Sequence, residues 1–115
     1  MESERNNAGK TEWCLFPFYA AEEIVKVFSY GARKYSPNNW ENGCAWTDTY
    51  NSLQRHLNAW RDGEDYDQES GLLHLGHVGC NVLFLLAYKI KGWGTDDRKL
   101  PALRNIKETN SENKR

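Results

Sequence analysis

Long hydrophobic runs are missing from this chain: the strongest, Val82 to Ile90, falls well short of the roughly 20 residues that a membrane-spanning helix needs. The opening MESERNNAGK has no apolar signal region either, so we expect a cytoplasmic protein without a membrane partner. An excess of one charge is also absent, since 15 basic residues face 16 acidic ones and the formal net charge is -1. That balance gives no basic field of the kind that draws a protein to a nucleic acid polymer or an anionic membrane. Cysteine is scarce: Cys14, Cys44 and Cys80 form no CxxC pair, and their odd number argues against a disulfide framework and for reduced, partly buried thiols. No internal repeat, glycine-rich phosphate loop, GxSxG elbow or zinc-finger spacing occurs, which removes the common motif-based nucleotide and hydrolase readings.

What the chain does have is aromatic side chains, with 5 tryptophans, 6 tyrosines and 4 phenylalanines in 115 residues. Such rings fill a small core or offer stacking faces to a base. The length allows one domain with a core small enough that a subunit interface would add to it. We therefore expect a homodimer or higher homo-oligomer.

Residues 1–12 are polar and aperiodic and read as a flexible tail. WCLFPF leads, through Pro17, into a first helix from Tyr19 to about Lys34, in which Ala20, Ile24, Val27, Phe28 and Gly31 make one apolar face. Glu22 and Lys26 are spaced as an exposed i,i+4 pair, whereas Glu23, Tyr30 and Lys34 border the apolar face, placed to look into a cleft. KYSPNNWENG is a turn-rich loop, either a structural connection or a binding loop whose Lys34 and Asn39 touch an anionic or amide-bearing ligand. Thr47 or Asp48 is the expected cap of a second helix, with Trp46, Tyr50, Leu53, Leu57 and Trp60 as its apolar stripe and Gly63 as its stop. His56 flanks that stripe; Arg55 points nearly away, so it reaches a shared site only around an edge or from another subunit.

An acidic loop, DGEDYDQESG, leads through Ser70 and Gly71 into a third helix ending near Lys91. The carboxylates are either a solvated turn or part of a site. The third helix is apolar almost all round and should lie buried as the central element, with Gly76, Gly79, Cys80 and Ala87 allowing a neighbour close. On it, His74, His77 and Asn81 stand at i, i+3 and i+7 and share one face. Residues 95–115 read as an extension with a short helix from Pro101 and a tail. The fold class is thus all-α, a compact bundle of three main helices plus a short C-terminal one, with the helical domain over residues 13–94.

Imidazoles and carboxylates on packed helices make metal or acid/base sites. His56, His74 and His77, joined by Glu64, Asp67 or Glu69, are able to hold an ion or to bind phosphates directly. Carboxylates suit Mg²⁺, while imidazoles admit Mn²⁺ or Zn²⁺. Lys34 and Arg55 are available to phosphates, and Trp40, Tyr30 or Trp46 to a base.

GARKYSPNNW, followed by RHLNAWRDGEDYDQESGLLHLGHVGCNVLFLL, closely resembles the phage-associated dATP/dGTP diphosphohydrolase N-terminal domain family, related to MazG-like all-α nucleotide pyrophosphohydrolases. The resemblance covers about residues 18–93. It implies a helical oligomer that cleaves a purine deoxynucleoside triphosphate between its α and β phosphates, giving monophosphate and pyrophosphate with divalent metal help. The metal set expected from the residues themselves is His56, Asp67, His74 and His77, with Glu64 or Glu69 activating water beside His74 and His77, and Lys34, Asn39, Trp40, Arg55 and Asn81 binding substrate. MazG-like enzymes hold Mg²⁺ with ExxE and ExxD motifs; here His74-Leu75-Gly76-His77 stands where ExxD is expected. That departure motivates a second reading, a sponge-type protein that sequesters a nucleotide without hydrolysing it. A third is a helical scaffold with a buried polar network.

Overall fold

The computed structural model describes residues 3–6 and 8–99. It contains three α-helices, α1 (Phe18–Lys34), α2 (Trp46–Arg61) and α3 (His74–Lys91), with short 3-10 turns at Trp13–Leu15 and Asn39–Asn42. Among the described residues no strand forms, and two isolated bridges, Ala45 to Thr95 and Tyr66 to Leu73, pin the loops. The all-helical expectation is met; the short helix expected from Pro101 lies outside the described residues.

α3 is the central element, packed on one side by α1 and on the other by α2. Its glycines explain the close approach of α1. A Cβ at Gly76 would stand 2.8 Å from the Glu23 carbonyl oxygen, and one at Gly79 would meet the Ile24 side chain at 2.4 Å. α1 therefore lies almost backbone-on-backbone against α3, and Val27 is buried at 7% exposure. Further along, Phe28, Trp40 and Phe84 interlock: Trp40 stacks on Phe84 at 4.8 Å and Phe28 meets Phe84 edge-on at 5.4 Å. Each such pair is worth roughly 0.5–1.5 kcal/mol beyond its buried area. Tyr88, 2% exposed, closes this end by donating its hydroxyl to the Trp40 carbonyl at 3.0 Å.

Several expectations are corrected. α3 starts at His74 rather than at Ser70, because an Asp67–Gly71 turn intervenes: the Ser70 amide donates to Asp67 Oδ2 and Gly71, at φ 73°, donates to the Asp67 carbonyl. Nor is α3 buried all round within one chain. With only α1 and α2 beside it, its remaining side leaves Leu75, Val82, Leu83, Leu86 and Ile90 exposed. The apolar stripe of α2 is similarly opened at Tyr50 and Trp60, while Thr49 is the residue it buries. Neither Thr47 nor Asp48 caps α2. The cap comes from far along the chain, where Asp97 accepts from the Thr47 amide at 3.0 Å and from the Thr47 hydroxyl at 2.6 Å, and the Thr95 carbonyl accepts from the Trp46 amide at 2.9 Å. A carboxylate at a helix N-terminus also meets the positive end of its dipole, and the hydrogen bonds from Thr47 hold the Asp97 carboxyl below its ordinary range. Residues 95 and 97 thus hold the start of α2. Lys26 pairs with Glu23 at 2.8 Å rather than with Glu22. Of the cysteines, all free, Cys80 is buried and Cys44 half-buried, but Cys14 is exposed.

Candidate functional site

Between α1, the 35–40 loop and the facing sides of α2 and α3 lies a cleft of about 810 Å³, a size typical of small-molecule sites. Helical spacing fills its floor. His56 comes from α2, and His74, His77 and Asn81 come from one face of α3. Asp67 and Glu69 enter from the acidic loop, Tyr30 and Lys34 from the end of α1, and Arg55 from the α2 edge. Arg55 therefore reaches the site within one chain. Asn39 and Trp40 also line it, with Phe28 and Phe84, whose rings pack against Trp40.

The histidines form a tight group. The Nδ1 atoms of His56 and His74 lie 2.8 Å apart, and the His56 ring stacks on His77 at 4.2 Å with an interplanar angle of 7°. Burial first, then the neighbouring His77, pushes His56 down to about 4, so the ring is neutral near pH 7 with a lone pair to offer. Burial also lowers His77, with Asp67 working against the shift. Burial alone would raise Asp67, yet the hydrogen bonds from the Ser70 amide and hydroxyl, with His77 and His56 behind them, hold it below the usual carboxylate range.

His56, Asp67 and His74 each offer a donor atom, and these atoms lie within 4.8 Å of one another. Two imidazole nitrogens and a carboxylate suit a transition ion such as Mn²⁺ or Zn²⁺ better than Mg²⁺, whose preference is for oxygen. His74 is 5% exposed, and its Nδ1 faces the Nδ1 of His56. The donor set therefore fits a divalent transition metal. The Nε2 of His77, also expected as a ligand, shares a 2.7 Å hydrogen bond with the Ser70 hydroxyl and lies 3.9 Å from Asp67. Ser70 was invisible as a site residue in sequence, although its place seven residues before His77 was the available signal.

The two glutamates diverge. Glu69 lines the cleft, accepting hydrogen bonds from Lys34 at 2.5 Å and Tyr30 at 3.1 Å. Its hydrogen bonds to Lys34 and then Tyr30 keep its carboxyl below the ordinary range, and the same Glu69 contact raises Lys34. Glu64 is not among the cleft-lining residues; its Oε1 sits 3.6 Å from His74 Nε2, on the far side of that ring. Asn81 is buried and donates to the His77 carbonyl at 3.0 Å and to the Ser52 hydroxyl at 3.4 Å, which ties α3 to α2 below the histidines.

Fold and site together define an all-helical domain with a histidine and carboxylate floor, flanking cations and an aromatic wall. The chain belongs to the dATP/dGTP diphosphohydrolase N-terminal family, whose sequence profile matches residues 2–98. It is similar to a dATP/dGTP diphosphohydrolase of Salmonella phage PMBT28, at 28% identity over 102 residues, covering 89% of this chain and 35% of the relative. The chain thus spans about a third of that relative's length. No solved structure matches it. No helix among the described residues is long and apolar enough to cross a membrane.

Proposed function

We propose that this chain is a nucleotide diphosphohydrolase that takes a purine deoxynucleoside triphosphate and releases monophosphate and pyrophosphate. The observation that carries the reading is the continuity of one cleft, which joins an aromatic wall at Trp40 and Phe84 to the Lys34, Arg55 and histidine–carboxylate end. A base fits the first and a polyphosphate the second. The named relative supplies the substrate class.

In the proposed reaction a water oxygen forms a bond to the α-phosphorus. The bond from that phosphorus to the α,β-bridging oxygen breaks, and its electron pair leaves with pyrophosphate. A divalent ion held by His56, Asp67 and His74 would supply charge neutralisation at the phosphate. The protein's own groups provide the rest. Lys34 and Arg55 pair with phosphate oxygens and so orient the chain of phosphates. Glu69, released from Lys34 as a phosphate takes its place, accepts the proton of the attacking water. Asn39 at the loop offers an amide to the nucleotide, and Asn81 fixes the His77 backbone beneath it.

Incubation with dATP or dGTP and Mn²⁺, Zn²⁺ or Mg²⁺, followed by chromatographic separation, tests the reading. Deoxynucleoside monophosphate and pyrophosphate are expected. Intact nucleotide recovered in stoichiometric amount after denaturation would overturn it in favour of sequestration, an alternative that the named relative does not support. We also propose a homo-oligomeric assembly, because the α3 face carrying Leu75, Val82, Leu86 and Ile90 is exposed in the single chain.

A further inference from the structure

We propose that Glu64 is a positioning residue for this site, accepting the Nε2–H of His74 and thereby presenting His74 Nδ1 as a free lone pair toward His56. The inference rests on the proposed metal-bearing reading of the cleft.

Neutral imidazole carries one N–H and one lone pair, so whatever claims one nitrogen decides the role of the other. His74 is 5% exposed, and its Nε2 has no hydrogen-bond partner. A buried polar nitrogen left in that state is costly. The nearest acidic oxygen is Glu64 Oε1 at 3.6 Å, just beyond hydrogen-bond reach, on a side chain 42% exposed and so free to close the gap. With the proton on Nε2, that closure satisfies both groups. With the proton on Nδ1, the Nε2 lone pair would face a carboxylate and repel it. Glu64 therefore selects the tautomer whose Nδ1 acceptor stands 2.8 Å from His56 Nδ1.

The backbone holds Glu64 where this contact requires it. Its amide donates to the Ala59 carbonyl at 3.0 Å, anchoring it to the end of α2, and the next residue, Asp65, accepts from the His74 amide at 2.8 Å. Glu64 is thus tied to the helix that carries His56, and its neighbour is tied to the first residue of α3. Because it lies outside the cleft lining, it acts through His74 and not on substrate. Outer carboxylates of this kind fix ring orientation and raise the basicity of the ligand nitrogen.

The test uses the full chain and its Glu64→Ala and Glu64→Gln variants, with two readouts. Long-range ¹H–¹⁵N spectra of the histidine rings without metal should show His74 protonated at Nε2 in the native chain and a mixture of tautomers in Glu64→Ala. Co²⁺ titration followed by visible absorption should give roughly 10- to 100-fold weaker binding in Glu64→Ala. Glu64→Gln, whose amide oxygen still accepts from Nε2–H, should recover part of that loss. Unchanged tautomer and unchanged Co²⁺ affinity in Glu64→Ala overturn the positioning role alone. Failure of the native chain to take up Co²⁺ overturns both this inference and the metal reading beneath it.

Discussion

His56 and His74 meet through their Nδ1 atoms, 2.8 Å apart across the seam between α2 and α3. Two ring nitrogens in that arrangement either share one proton or turn both lone pairs toward one cation. Asp67 brings a third donor within reach. The seam between the two helices is therefore also the proposed ligand set, and the first prediction concerns it.

Alanine at His56 or His74 should abolish uptake of Mn²⁺ or Zn²⁺, by more than the roughly 10- to 100-fold that losing an outer partner costs. Folding should persist with a loss on the order of 1–3 kcal/mol. Calorimetric metal titration beside thermal melts checks both. Retained affinity in either variant counts against the assigned ligands.

A pH dependence follows from His56. Its folded value is about 4 because burial, and then His77, disfavour its charged form, whereas an unfolded chain protonates near the ordinary 6.5. Between those values the unfolded state holds more protons. Stability should be full above about pH 6.5 and decline as pH falls toward 4. Denaturant midpoints of the metal-free chain at a series of pH values should show this slope, and it should be shallower in His56→Gln.

Lys34 and Glu69 should separate binding from chemistry. Lys34→Ala removes a phosphate partner and should raise KM about ten-fold with kcat little changed. Glu69→Gln removes the proposed base and should lower kcat by about 10² to 10⁴. Since the pair is solvent-exposed, the melting temperature should change little in either variant. Steady-state kinetics on dATP and dGTP decides the assignment.

Gly76→Ala should destabilise the fold by roughly 1–3 kcal/mol. The added Cβ would stand 2.8 Å from the Glu23 carbonyl oxygen, and backbone cannot swing aside as a flexible side chain does. Gly63→Ala provides a contrast: the helix-ending glycine, at φ 97°, has open space around it, so only its backbone strain is felt. Denaturant unfolding of both variants measures the difference.

The convergence of His56, His74 and His77 was legible in sequence, because spacings of three residues on one helix and a preceding helix of matching polarity leave little choice of face. The close approach of a neighbouring helix to α3 was legible in Gly76 and Gly79, though not that the neighbour is α1. Contacts made by the loops were not. The division between Glu64 and Glu69, five residues apart, depends on how the Asp67–Gly71 turn and the Tyr66–Leu73 bridge fold the loop, and no periodicity encodes that. The capping of α2 by Asp97 joins residues 50 positions apart. Local propensity pointed instead to Thr47 or Asp48, and the Thr47 hydroxyl became a donor to the cap. The exposed side of α3 was misjudged because hydrophobicity all round a helix records how much surface wants cover, not whether one chain supplies it.

The central claim is attack at the α-phosphorus within this cleft, and hydrolysis in ¹⁸O-enriched water tests it most directly. Mass spectrometry of the products from dGTP should place the label in the deoxynucleoside monophosphate and leave pyrophosphate unlabelled. Label in pyrophosphate, release of inorganic phosphate with a diphosphate, or no turnover of dGTP or dATP with any of the three metals would contradict it.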